Sequence, residues 1–107
     1  MPRNIKSILR KLKKGLTSIY GDQLKTVILF GSYARGDARP PNSDINVMVV
    51  LRGEFDYWKT DKLSSEFVAD LSLENDVVIS ARLTSETKYA ESQMPFMNNV
   101  RKEGMTI

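Results

Sequence analysis

The chain has 107 residues, 41% hydrophobic and 27% charged, with a formal net charge of +3; this fits a single globular domain over residues 1–107, neither disordered nor membranous. It contains no His and no Cys. That excludes Ser-His-Asp and Cys-His nucleophiles, imidazole and thiolate metal ligands, disulfides and iron–sulfur clusters. Any metal must sit on oxygen ligands, which points to a hard cation such as Mg²⁺ or Mn²⁺. The longest apolar runs, residues 27–30 and 47–51, are too short for a signal peptide or a membrane span. A cytoplasmic protein with no membrane partner is expected.

The charge is unevenly placed. Arg3, Lys6, Arg10, Lys11, Lys13 and Lys14 stand within residues 1–20 with no acid among them, so the rest of the chain is net negative. In the same stretch Ile5, Ile8, Leu9, Leu12, Leu16 and Ile19 recur at spacings of three and four. This predicts an amphipathic helix with an apolar stripe and a basic outer face. Nucleic-acid grooves usually interleave aromatics with basic residues, and only Tyr20 is present here. The core-packing reading is preferred, and no nucleic-acid partner is assigned.

Gly21-Asp22 closes that helix, and Thr26-Val27-Ile28-Leu29-Phe30 reads as a buried strand ending at Gly31. Residues 31–43, punctuated by Gly31, Gly36, Pro40 and Pro41, form a loop with one helical turn around residues 33–35. A second strand runs from Asp44 to Leu51. It is apolar at every position after Asn46, which suits a central strand covered on both faces. A helix follows over residues 56–73, with Leu63, Phe67 and Leu71 on its stripe and Tyr57 and Trp58 anchoring its start. Asn75-Asp76 opens a third strand over residues 77–83, in which Arg82 looks peripheral. Thr84 or Ser85 then caps a short segment. A last helix is framed by Pro95 and Gly104.

The expected fold class is α/β: a small mixed sheet of about three strands with flanking helices, in the order α-β-(loop)-β-α-β-α. Strands two and three belong to a βαβ unit, hence parallel; strands one and two are expected to be antiparallel.

Three features carry the chemistry. Gly31-Ser32 directly follows a strand, where glycine permits backbone angles that turn N–H groups into a concave anion nest. Asp44 and Asn46, two apart at a strand start, project from one face and suit a divalent cation. Asp76 precedes the third strand, and parallel topology brings the starts of strands two and three to one edge of the sheet. Each also has a plain structural reading: a turn, a polar strand start and an Asx turn.

Together, Gly31-Ser32-Tyr33-Ala34-Arg35-Gly36, Ser43-Asp44-Ile45-Asn46-Val47 and Asp76 resemble the nucleotidyltransferase superfamily of DNA polymerase beta. The small size and the closing Asn99-Val100-Arg101-Lys102-Glu103-Gly104 resemble its minimal members, commonly the antitoxin half of a pair with a HEPN ribonuclease toxin. The resemblance implies a polymerase-beta-like nucleotidyltransferase fold. It also implies transfer of a nucleoside monophosphate, AMP from ATP, to a hydroxyl such as a toxin tyrosine, with Mg²⁺ or Mn²⁺ as cofactor. Carried over, Asp44 and Asp76 are the catalytic acids, and Asp44, Asn46 and Asp76 the metal positions. Gly31, Ser32 and Arg35 hold the nucleotide, and Arg39 is a further phosphate or partner contact. Asn46 departs from the family, which usually has Asp there. A neutral amide cannot bridge two cations with full charge, and Asp37 is the nearest loop acid that could compensate. Impaired catalysis is expected, with a contact-only antitoxin as the alternative.

Overall fold

The computed structural model describes residues 3–40 and 43–107; the turn expected to begin at Asn42, after Pro41, lies outside them. The chain opens with helix α1 (Arg3–Tyr20) and a single 3₁₀ turn, followed by β1 (Leu24–Phe30) and the short α2 (Ser32–Arg35). Then come β2 (Ile45–Leu51), α3 (Tyr57–Glu74), β3 (Ile79–Ser85), α4 (Glu86–Glu91), α5 (Pro95–Glu103) and β4 (Met105–Thr106). The sheet has four strands in the order β3-β2-β1-β4. β1 is antiparallel to β2 and to β4, and β2 is parallel to β3. The expected pairings therefore hold, with a fourth strand added at the end of the chain.

Register sorts the side chains by parity. Val27, Leu29, Ile45, Val47, Val49, Leu51, Ile79 and Leu83 turn to one face of the sheet. They join Ile5, Ile8, Leu9, Leu12, Leu16 and Tyr20 of α1 in one core. The apolar stripe read along α1 is thus its buried side, and its lysines and Arg10 remain outside. On the opposite face Ile28, Met48 and Val50 form a smaller core with Val100 of α5, flanked by Phe30, Tyr89 and Met97. β2 is buried on both faces apart from the half-buried Asn46, as its continuous apolar run requires.

α3 departs from the expected packing. Asp56 caps it, its carboxylate accepting from Lys59 N at 3.0 Å. However, Trp58 is 77% exposed and Leu63 62%, so neither Trp58 nor Leu63 faces the core, and Tyr57 is also exposed. The inner stripe instead runs through Thr60, Ser64 and Leu71, with Phe67 and Val68 packed beside it. Two polar residues are tolerated there because the buried Tyr20 hydroxyl lies 2.8 Å from both the Thr60 carbonyl and Ser64 Oγ, which satisfies the groups that burial would otherwise penalise.

α4 begins at Ser85, whose Oγ accepts from Lys88 N at 3.1 Å. α5 is tied back by Arg101, which donates to the carbonyls of Tyr89 and Ser92, both at 2.6 Å. Of the apolar residues before and within α5, Met97 packs on the smaller core, whereas Met94 and Phe96 stay exposed. Among the described residues no helix is long and apolar enough to cross a membrane.

Candidate functional site

The site forms where β1 ends and β2 begins. Antiparallel pairing sets Phe30 opposite Asn46, so the turn after β1 meets the polar start of β2. Gly31 takes φ 81° and ψ −154°, a region that L side chains rarely occupy. A Cβ at this position would lie 3.0 Å from Asn46 Nδ2. Backbone angle and close approach both demand glycine. The Gly31 carbonyl accepts from Ala34 N and Arg35 N, each at 3.0 Å, which winds α2 directly from the strand. Tyr33 anchors that turn in the main core.

Arg35 lies on the outer side of the turn. Its Nε is 3.3 Å from Asp37 and its NH1 3.2 Å from Glu103 on α5. These pairs, that to Glu103 first, raise its pKa. Arg35 thus closes the turn against α5, so its guanidinium is already engaged. In the loop, Ser43 Oγ accepts from Arg39 N at 2.8 Å. A hollow of about 410 Å³ opens between Phe30, Gly31 and Arg35 on one side and Phe96, Asn99 and Glu103 on the other. A larger hollow of about 700 Å³, lined by Gly53, Thr84 and Glu86 among others, lies at the far ends of β2 and β3.

Asp44 is exposed and immediately precedes β2, which starts one residue later than the sequence suggests. Asn46 Nδ2 reaches back to the Asp44 carbonyl at 3.5 Å, a marginal contact. Asp44, Asn46, Gly31 and Ser32 are therefore brought together by strand pairing.

Asp76 is placed differently. β3 begins at Ile79, not at residue 77, and its first link to β2 is Ile45 N donating to the Val78 carbonyl at 2.8 Å. Asp76 stands before this link, on the turn that ends α3, with φ 52°. Its N–H donates to the Leu73 carbonyl (3.3 Å), and that of Val77 donates to Ser72 (3.0 Å). This is a helix C-terminal motif in a left-handed conformation that Asp tolerates better than most residues. The structure thus supports the turn reading of Asp76 and corrects its expected position at the start of the strand.

The residues of β3 that share Asn46's face are Ser80, Arg82 and Thr84, paired with Asn46, Met48 and Val50. Sequence reading set Arg82 aside as peripheral. Its face is the same whether the strand starts at 77 or at 79; what spacing alone does not give is its pairing with Met48. Its guanidinium carbon lies 5.0 Å from the centroid of the Phe96 ring, and Phe96 packs edge-on against Phe30 with centroids 5.5 Å apart.

Among the described residues there is no group of three or more acidic side chains that could hold a metal ion. The one carboxylate and one amide at the start of β2, Asp44 and Asn46, do not by themselves fit a cluster binding two cations.

The family described as Nucleotidyltransferase domain matches residues 9–102 of the chain. A Methanocaldococcus jannaschii protein, provisionally named a protein adenylyltransferase, is 33% identical over 105 residues, covering 97% of this chain and 98% of its own. Among solved structures, the toxin–antitoxin MntA-HpeT superposes with a TM-score of 0.63 at 20% identity, over 91% of this chain and 69% of that one. A toxin–antitoxin structure with AMP-PNP gives 0.62 at 21% identity, over the same shares. At these identities the structural matches establish the fold.

Proposed function

Because the chain belongs to the nucleotidyltransferase domain family, we infer that it is an antitoxin-type member that binds ATP and restrains a HEPN-type toxin, with AMP transfer that is slow or lost. The observation that carries this reading is the fit of Gly31 against Asn46, beside Ser32 and Asp44. A glycine turn places backbone N–H groups and the Ser32 hydroxyl where a triphosphate can lie, and Asp44 stands beside it just before β2. In the transfer, a toxin hydroxyl, most simply a tyrosine, bonds to the α-phosphorus. The α–β bridging P–O bond breaks, pyrophosphate leaves, and the hydroxyl proton passes to Asp44. Positioning and charge stabilisation supply the catalysis in such reactions, and this site is poor in the acids that would hold charge-neutralising cations. The toxin-antitoxin and AMP-PNP descriptions of the structural neighbours support both the partner and the nucleotide.

The test is to purify the chain with and without its toxin partner, add ATP, and measure ATP binding, complex formation and the mass increment of one AMP on the toxin. ATP binding and a stable complex are expected, with little or no increment. Asp44→Asn should remove any residual transfer while ATP binding and the complex persist. Failure to bind both ATP and a toxin overturns the reading.

The second reading, neutralisation by contact alone, is favoured by the neutral amide of Asn46 beside Asp44. Under it, Asp44→Asn should protect cells from the toxin as well as the unaltered chain does.

A further inference from the structure

We propose that the guanidinium of Arg82 stands in for a divalent cation at this site, so that the chain holds the phosphates of a nucleoside triphosphate without metal; this rests on reading the site as a nucleotide site. Parity decides the location. Asn46 pairs with Ser80 and Met48 with Arg82, so the β3 positions beside Asn46 and one pair further along this face are 80 and 82. A serine and an arginine occupy them. Asp44 then stands just before β2, and Arg82, a fixed cation, four residues into β3. Such a pair does not concentrate divalent ions, yet it offers a positive group to an anion.

Arg82 is also uncommitted. Among the described residues it forms no hydrogen bond and no ion pair; it rests only on the Phe96 ring at 5.0 Å. The other two arginines on this side are engaged: Arg35 with Asp37 and Glu103, Arg101 with the carbonyls of Tyr89 and Ser92. Stacking on an aromatic face orients the guanidinium plane and leaves its edge donors free. Those donors match phosphate oxygens in pairs, which a lysine cannot do. Phe96 itself lines the hollow that Gly31 opens into. Phe96 therefore links the turn that would receive phosphates to the cation that rests on its ring.

Isothermal titration of the purified chain with ATP, once in excess EDTA and once in excess Mg²⁺, tests this. Affinities equal within about twofold are expected. Arg82→Gln should weaken binding by about tenfold or more in both buffers, the usual scale of a lost charge-assisted contact, and Arg82→Lys should recover part of it. The pair Asn46→Asp with Arg82→Asp should lose affinity in EDTA and regain it with Mg²⁺. Circular dichroism of each variant checks that the exposed position leaves the fold intact. Binding that requires Mg²⁺ in the unaltered chain overturns this proposal while leaving the nucleotide site standing. Metal-independent binding that Arg82→Gln does not weaken also overturns it. No ATP binding in either buffer overturns the nucleotide reading itself.

Discussion

The two faces of the sheet are built by different means. One is sealed by α1 and α3, with a continuous apolar core from Ile5 to Leu83. The other carries four buried core residues and is held by polar staples, Arg101 to two carbonyls and Arg35 to Glu103. Apolar burial is non-directional and contributes about 1.5–3 kcal/mol for each large side chain; polar staples are directional and weaker when exposed. The sealed face therefore carries the stability. That leaves the other face free to hold a hollow, the exposed Phe96 and an arginine with no ion pair among the described residues.

The largest effect that could break this contrast is a paired truncation. Leu12, fully buried in α1, should lose about 3 kcal/mol on change to Ala, within the usual range for core leucines. Met97→Ala, half-buried on the open face, should lose about 1 kcal/mol or less. Urea unfolding followed by circular dichroism measures both, and equal losses would abolish the distinction.

Next in size is Gly15→Ala. Alanine is favoured over glycine in a helix by about 1 kcal/mol, but a Cβ here would lie 2.0 Å from the Phe67 ring. Overpacking should win, with a net loss of about 2 kcal/mol. A more stable variant would mean that α1 and α3 are not tightly seated.

Tyr20→Phe should cost about 1 kcal/mol by removing the hydroxyl that serves Thr60 and Ser64. It also carries a pH signature. Burial raises the Tyr20 pKa above its ordinary value, partly offset by the Ser64 hydrogen bond. The folded chain then holds the phenolic proton more tightly than the unfolded one. That stabilisation is complete below pH about 10 and is lost as pH climbs through the folded-state value. The variant should show a shallower alkaline decline in chemical-denaturation midpoint than the unaltered chain.

The smallest expected effect concerns Asp76, which belongs to neither face. Relieving its left-handed conformation with Asp76→Gly should gain about 0.5 kcal/mol and leave ATP titration unchanged. Loss of ATP binding in this variant would return Asp76 to the site.

These contrasts also mark what the sequence disclosed. The stripe of α1, the two-sided apolar run of β2, the cap at Ser85 and the proline that opens α5 are written in residue type and spacing, and each stands where that spacing puts it. The juxtaposition of Gly31 with Asn46 followed from two strands meeting antiparallel. What escaped is set by tertiary partners. Thr60 and Ser64 look like surface residues until Tyr20 supplies their hydrogen bonds, so the inner side of α3 was assigned to Leu63 instead. Asp76 reads as a strand residue only if α3 is assumed to stop earlier. Arg82 takes its meaning from Phe96 of α5, a tertiary partner that spacing along β3 does not show. The two-residue β4 has too little pattern to be seen at all.

That small strand has a consequence of its own. Met105 pairs with Leu29, Thr106 with Ile28, and Ile107 N donates to the Val27 carbonyl at 3.0 Å. β1 ends in four consecutive apolar residues, Val27 to Phe30, and has no proline, the kind of strand that recruits other strands when its side is bare. During synthesis it is complete some 75 residues before its guard is made. Until residues 105–107 fold back, the newborn chain presents β1 as a template for misassembly, so the last few residues act as a gatekeeper against aggregation.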